Sequence, residues 1–270
     1  MRPIITLTTD FGYGRYVAQM KGVLLSLCPE ATVVDVAHNV PPQDLVSAAY
    51  LLADVVPTFP KGTIHVVVVD PGVGTKRRGV VLEAGPAAAG QHLVGADNGV
   101  FAQFATGGRM HLLSESKYMR PTVSQVFHGR DVFSPAAAHL ACGVPIGAFG
   151  PRVTDPMGLD LPRTKRSAGA TLGEVLYADK FGNIVTNIDA AELPPAGEEG
   201  HNIEIGWARL DRLSGTYADV RVGEMLALVG SSGRLEIAVR EGSAAERLHL
   251  HEVRGTPVKV SARRPSMFEE

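Results

Sequence analysis

Residues 64–78 read IHVVVVDPGVGTKRR. The run 64–69 is almost unbroken in its apolar, β-branched character, the pattern of a strand buried on both faces. Strands of that kind belong to parallel sheets covered by helices, so this stretch alone narrows the choice of fold sharply. The strand stops at Asp70. Pro71 and Gly72 break it, Gly74 permits a second sharp turn, and two arginines follow. A carboxylate at the carboxyl end of a buried strand, on a Gly-rich loop beside guanidinium groups, lies where open α/β sheets bind ligands. Taken by itself, the stretch fits a tight turn with an Asp cap and two solvated arginines equally well.

The surrounding chain supplies partners for that strand. Strands are expected at 4–9, 32–36, 79–83 and 92–95. Helices are expected over 15–28, 44–55 (opened by Pro41-Pro42 in its first turn) and 132–142. This alternation predicts an α/β N-terminal domain, residues 1–152, with a largely parallel central sheet. Composition changes near Arg152. Residues 153–169 are rich in Pro, Gly and charge and read as a linker. Beyond it, short strand-like runs recur at 172–178, 184–188, 202–207, 225–229, 235–239 and 258–260. They predict a smaller all-β, barrel-like domain over 170–270.

Bulk properties exclude several classes. A 270-residue chain with 45% hydrophobic and 20% charged residues has ample material for a core. A net charge of −2 gives no wholesale attraction to nucleic acid or anionic membrane. Cys28 and Cys142 make neither a disulfide framework nor a metal-ligand spacing. MRPIITLTTDFG runs straight into a strand without a signal peptide, and no apolar run reaches membrane-spanning length, so the expected setting is the cytoplasm. GxGxxG, GxxxxGK[ST] and HExxH are all missing from the sequence, so neither a phosphate loop nor a metal centre is expected.

Two strands end alike, TLTTDFG at Asp10 and VVVVDPG at Asp70. In one parallel sheet both carboxylates would emerge along the same edge. A carboxylate there can accept two hydrogen bonds from the hydroxyls of a ribose, which makes Asp10 a nucleoside-binding candidate. His128, in FHGRD just before a helix, can hold or activate water. His65, inside the apolar strand, reads as a satisfied core residue. In the second domain, Asp179-Lys180-Phe181-Gly182-Asn183 and Gly230-Ser231-Ser232-Gly233 each fit either a ligand grip or a plain hairpin turn.

Together, TTDFG at 8–12, VAQMKG at 17–22, DPGVGT-x-R at 70–77, DNG at 97–99, FHGRD at 127–131, FGNIVTN at 181–187 and SSG-x-LEIAV at 231–239 resemble the S-adenosyl-L-methionine hydroxide adenosyltransferases. That family is related to the fluorinases and chlorinases. The resemblance covers nearly the whole chain. It implies hydrolysis of S-adenosyl-L-methionine to adenosine and L-methionine by water attacking C5′, with no cofactor and no metal. It also implies a homotrimer whose site lies between the N-terminal domain of one subunit and the C-terminal domain of its neighbour. Carried over residue by residue, it makes Asp70, Arg77 and His128 the catalytic set. Arg77, seven residues after Asp70, takes the family position rather than Arg78. Asp10 would hold the ribose, and Asn98 of DNG joins the substrate-binding set. Asp179, with Ser231 and Ser232, would meet the methionine. Phe181 and Asn183 would meet the adenosine, and the backbone around Val239 and Glu241 would read the adenine edge.

Two features depart from relatives. The stretch Tyr13-Gly14-Arg15-Tyr16 lacks the acidic residue that family members commonly carry there. The complete Asp–Arg–His set favours hydrolysis over halogenation. The alternatives are a halogenating relative and an adenosine- or S-adenosylmethionine-binding protein with negligible turnover.

Overall fold

The computed structural model describes residues 2–167, 169–197, 200–250 and 252–262. The chain divides into two compact units, Met1–Asp160 and Leu161–Glu270. Within the segment expected to link them, Lys165–Ser167 is a paired strand. The expected end of the second domain at 270 lies outside the described residues.

The first unit runs β1 (Ile4–Thr9), α1 (Arg15–Leu27), β2 (Thr32–Ala37), α2 (Leu45–Val55), β3 (Ile64–Val68), β4 (Gly79–Glu83), β5 (His92–Ala96), α3 (Ala102–Ala105), β6 (Arg109–Leu112), α4 (Ser134–Ala141) and β7 (Arg152–Val153). The strands form one sheet in the order β2-β1-β3-β5-β4-β6-β7. The β2-β1-β3-β5 half is parallel, and β4, β6 and β7 pair antiparallel. β3 is buried at every position, as its uniform apolar run requires. Alternation sends Ile5, Leu7, Val66 and Val68 into a core with Val17, Met20 and Leu24 of α1 and Ala136–Ala138 of α4. Thr6 and His65 point to the opposite face. There His65 bonds Thr6 Oγ1 at 2.8 Å and Gln91 Oε1 at 2.6 Å, so both ring nitrogens are satisfied.

Two local differences from expectation matter for the site. Pro41 and Pro42 lie ahead of α2 rather than in its first turn. Asp44 is the N-cap and accepts from the Ser47 N–H at 3.0 Å, and Gln43 just before it is left-handed at φ 64°. The helix expected over 132–142 is preceded by a π-helical turn, Gly129–Phe133, that runs directly into α4.

The second unit contains β8 (Lys165–Ser167), β9 (Ala170–Ala178), β10 (Ile184–Asp189), β11 (His201–Ile205), β12 (Ala208–Leu210), β13 (Leu213–Ser214), β14 (Met225–Val229), β15 (Arg234–Val239), α5 (Ala244–Arg247) and β16 (Pro257–Ala262). They make one nearly closed, barrel-like sheet in the order β12-β11-β16-β9-β10-β15-β14-β13, with β8 on β9. Inward residues such as Val175, Ile184, Ile203, Ile237 and Val260 fill its core. Among the described residues, no helix is long and apolar enough to cross a membrane.

Candidate active site

The parallel register sets Thr9 of β1 opposite Val68 of β3. Asp10 and Asp70 therefore leave the sheet side by side, at the carboxyl ends of neighbouring strands. Both line a cleft of about 150 Å³ whose walls include Phe11, Gln43, Phe127 and His128. This is the edge at which parallel strands present ligand sites.

The loop after β3 folds Arg77 back onto Asp70. The Thr75 N–H and hydroxyl both bond the Gly72 carbonyl, at 3.1 and 2.7 Å. Gly72 leaves the space Arg77 needs, since a Cβ there would stand 3.0 Å from Arg77 Cγ. Arg77 Nε donates to Asp70 Oδ1 at 2.9 Å, and Arg77 Nη2 donates to Oδ2. This is a bidentate fork between side chains only 11% and 5% exposed. Arg77 Nη2 also lies 2.7 Å from His128 Nδ1. A guanidinium has donors only, so Nδ1 must accept and the neutral ring carries its proton on Nε2. Burial, reinforced by the Arg77 charge, holds the His128 pKa below its ordinary value despite Asp70 and Asp131 nearby. His128 is therefore neutral near pH 7, and its Nε2–H is the donor left for the cleft.

The π-helical turn fixes that ring. His128 is its N-cap residue. Asp131 within it is fully buried. Asp131 accepts from Arg130 Nε at 2.7 Å and Nη2 at 2.8 Å, from Arg120 Nη1 at 3.2 Å and from the Ser124 N–H at 2.9 Å. Burial alone would raise its pKa. The bonds from Arg130 and Ser124, with the nearby positive charges, outweigh it and hold the carboxyl below its usual range. At Gly129 a Cβ would stand 3.1 Å from Val68 Cγ1 and 3.3 Å from Met20 Sδ, so any side chain there would make those neighbours give by a few tenths of an ångström.

Asp10 Oδ2 accepts the Gln43 N–H at 2.9 Å. Its other oxygen meets no partner among the described residues. A buried chain fixes the strand end behind it. Thr9 Oγ1 bonds His38 Nδ1 at 2.9 Å, His38 Nε2 bonds Asp35 Oδ1 at 3.0 Å, and the Gly12 N–H bonds the His38 carbonyl at 2.6 Å. Asn98 is not among the residues lining this cleft. Its Nδ2 donates to the Val69 carbonyl at 2.9 Å and its Oδ1 takes the Val100 N–H at 3.3 Å, which ties the end of β3 to the turn after β5. Arg78 points elsewhere, to Asp97 and Asp155.

The second unit has its own cleft, about 800 Å³, lined by Asp179, Phe181, Asn183, Ser231, Val239 and Glu241 together with residues of the 216–218 and 240–243 loops. Asp179 organises its loop. Its Oδ1 accepts the N–H groups of Phe181 and Asn183 at 2.8 and 2.9 Å, and its Oδ2 accepts Asn183 Nδ2 at 3.1 Å. Phe181 is left 66% exposed above the cleft. Gly182 must be glycine, because its φ is +80° and a Cβ would meet Ser243 Oγ at 2.0 Å. Ser232 is not among the lining residues; it sits in the turn closed by Gly230 N–H to the Arg234 carbonyl at 2.9 Å. Glu241 adopts φ 56° with its side chain largely in solvent.

Several lining residues escape a motif-based reading. Gln43 reaches the first cleft through a left-handed backbone that glutamine rarely adopts. Tyr217, in the second cleft, lies outside any motif; Glu236, also in that cleft, falls inside the SSG-x-LEIAV run, where the carboxylate between Leu235 and Ile237 is the signal for it. Among the described residues, no cluster of His, Cys, Asp or Glu could hold a metal ion.

The sequence matches the model of the SAM hydroxide adenosyltransferase N-terminal domain over residues 5–150 and that of the C-terminal domain over 173–256. It is 42% identical to the (R)-S-adenosyl-L-methionine hydrolase of Thermus thermophilus over 96% of this chain and 100% of that one. It is 38% identical to the enzyme of the same name from Salinispora tropica, covering 91% and 94%. A fluorinase of Nocardia brasiliensis is 28% identical over 96% and 97%. Among solved structures, a conserved protein of Thermotoga maritima superposes with a TM-score of 0.87 at 31% identity, covering 96% of this chain and all of that one. The two family models take in the Asp70–Arg77–His128 cleft and the Phe181–Asn183 loop respectively, and the chain belongs to the SAM hydroxide adenosyltransferase family.

Proposed function

We propose that this protein hydrolyses S-adenosyl-L-methionine to adenosine and L-methionine. The observation that carries the reading is that Asp70 and His128, joined by Arg77 behind them, line one cleft with Asp10. A sulfonium leaves as a neutral thioether, so the reaction needs no acid to protonate its leaving group and no cofactor to activate it. The protein has to place one water in line with C5′ and favour its hydroxide character. His128 Nε2–H donates to that water, and a remaining lone pair of Asp70 accepts from it. Arg77 holds both groups in register and fixes the histidine tautomer. Asp10 accepts a ribose hydroxyl with its second oxygen, and Asn98 acts at one remove by fixing the end of β3.

The C-terminal cleft takes the rest of the substrate. Phe181 and Asn183 meet the adenosine, the backbone at Val239 and Glu241 reads the adenine edge, and Ser231 flanks the methionine beside the loop that Asp179 organises, with Ser232 acting at one remove from the adjoining turn. The two surfaces belong to neighbouring subunits of a homotrimer in the cytoplasm, with the domains running 1–152 and 170–270. The test is incubation with S-adenosyl-L-methionine in halide-free buffer containing labelled water. Equal amounts of adenosine and methionine, with solvent oxygen in the adenosine, are the expected result. Intact substrate, or a 5′-halo-adenosine formed on adding chloride or fluoride, would overturn it. Sedimentation as a monomer at the assay concentration would sink the trimer.

A further inference from the structure

The chain's two cysteines lie far apart in sequence, and nothing in their spacing pairs them. The fold brings them together. Cys28 is the C-cap residue of α1 and Cys142 the C-cap residue of α4. The two helices share one core, through Val17, Met20 and Leu24 of α1 and Ala136–Ala138 of α4. Both start at the cleft edge, α1 after Asp10 and the turn into α4 after His128, so their C-terminal ends meet on the side away from it. There Cys142 Sγ donates to the Leu27 carbonyl at 3.7 Å, one residue before Cys28. The Cys28 thiol in turn shares a hydrogen bond with Cys142. Both are free thiols, and they differ in access. Cys28 is 4% exposed and belongs to the core, whereas Cys142 is open to solvent. Burial, followed by the bond to Cys142, pushes the Cys28 thiol up to about 11. By itself Cys28 is thus a protonated, shielded thiol of the inert kind.

We propose that Cys28 and Cys142 form a redox modification site, at which a hydroperoxide converts the pair into a reversible disulfide that staples α1 to α4. Solvent access selects Cys142 as the sulfur oxidised first. Its sulfur attacks the peroxide. An S–O bond forms, the O–O bond breaks, and the departing hydroxide takes the thiol proton as water, leaving a sulfenic acid. Cys28 then attacks that sulfur. The S–S bond forms, the S–O bond breaks, and the hydroxide released takes the Cys28 proton as a second water. The two thiols together lose two electrons, and one peroxide gains them. The weak acidity of Cys28 disfavours this second step, and its standing contact with Cys142 offsets that through proximity. The closed loop runs from the end of α1 to the end of α4 and takes in most of the first unit, so the cross-link restrains its unfolded state. The staple lies at the helix ends remote from Asp10, Asp70 and His128, so it acts on stability and leaves the cleft as it is.

The experiment treats the full-length protein with hydrogen peroxide, quenches it, and counts free thiols by alkylation under denaturing conditions, alongside Cys142→Ser and Cys28→Ala. Wild type should lose both thiols and the mass of two hydrogens, run as a single chain on a non-reducing gel, and yield a digest peptide joining Cys28 to Cys142. Its melting temperature should rise by about 4–16 °C and return on adding dithiothreitol, with turnover of S-adenosyl-L-methionine within about twofold throughout. Cys142→Ser, altered only at an exposed position, should keep its remaining thiol through the treatment and show no rise. Cys28→Ala, which leaves the sulfenic acid unresolved, should carry Cys142 on to the sulfinic acid. Should Cys28→Ala not fold, the contrast between wild type and Cys142→Ser decides alone. Two intact thiols in treated wild type, a disulfide between chains, or a sulfinic acid at Cys142 beside an intact Cys28 thiol would overturn the proposal. So would a cross-linked protein that melts no higher than the reduced one, or turnover lost in step with the cross-link. The thiol and melting readouts stand whatever reaction the cleft catalyses.

Discussion

Replacing Asp70 with Asn tests whether the fork to Arg77 serves catalysis or only folding. The side chains are 5% and 11% exposed, so the small values typical of surface ion pairs do not apply. Removing one partner strands the Arg77 guanidinium, at a cost of about 3–5 kcal/mol. At roughly 2–4 °C per kcal/mol for a unit of this size, the melting temperature of Asp70→Asn should fall by about 6–20 °C. Loss of a positioned proton acceptor should lower kcat by about 10²- to 10⁴-fold, measured as adenosine released at a temperature where the variant stays folded. The informative variant is the double substitution Asp70→Asn/Arg77→Gln. With both charges gone no bare cation remains, so most of the melting temperature should return. Activity should not, because His128 has lost the cation that fixes its tautomer and the water has lost its acceptor. Recovery of turnover in step with the melting temperature would refute the catalytic reading of this pair.

Asp10→Ala should weaken adenosine binding by about 1–3 kcal/mol in calorimetry, since a buried ribose hydroxyl would lose its acceptor; unchanged affinity counts against the ribose role. The pH–rate profile should have an acid limb below pH 6.5, the ordinary His value, because burial and Arg77 hold His128 lower: activity is present while Nδ1 is bare and is lost as pH falls through the folded pKa and a proton arrives facing Arg77. His65 is depressed by burial as well, so below its ordinary 6.5 the unfolded chain binds the extra proton, and stability should decline as pH falls from there towards the folded pKa. Thermal melts of wild type and His65→Asn across that window check it, and parallel curves would remove His65 as the cause. Gly182→Ala should destabilise the protein by about 1–3 kcal/mol, given the left-handed backbone and the contact at Ser243; a neutral melt would show that the loop relaxes freely.

The parallel half of the first sheet was legible because β3 is a uniform apolar run and because Asp10 and Asp70 end their strands in matching ways. The antiparallel edge was harder to read. β6 (RMHL) and β7 (RV) are too short and polar to carry a period, and only their pairing with β4 and with each other makes them strands. The π-helical turn at Gly129–Phe133 was hidden for a related reason. Its sequence is compatible with an ordinary helix, and what accompanies the extra residue is the set of bonds Asp131 accepts from Arg120 and the Ser124 N–H outside the turn and from Arg130 within it. Arg77 was placed by motif spacing, but its role as the bridge between Asp70 and His128 is a property of the folded loop.

That bridge changes what the histidine can do. In a direct Asp–His pair the carboxylate takes the Nδ1–H and leaves Nε2 bare as a base. Here a donor-only guanidinium stands between them, so Nδ1 is bare and Nε2 carries the proton. The same ring is thereby converted from a proton acceptor into a donor at the cleft. A donor suits this substrate, because the nucleophile that must be held near the sulfonium is a water with hydroxide character, whose oxygen accepts a hydrogen bond while its proton is drawn towards a carboxylate. It follows that His128→Gln, which offers an N–H, should retain more activity than His128→Asp, which offers only an acceptor. The reverse order in a turnover assay would mean that Nε2 is the base and that the tautomer argument fails.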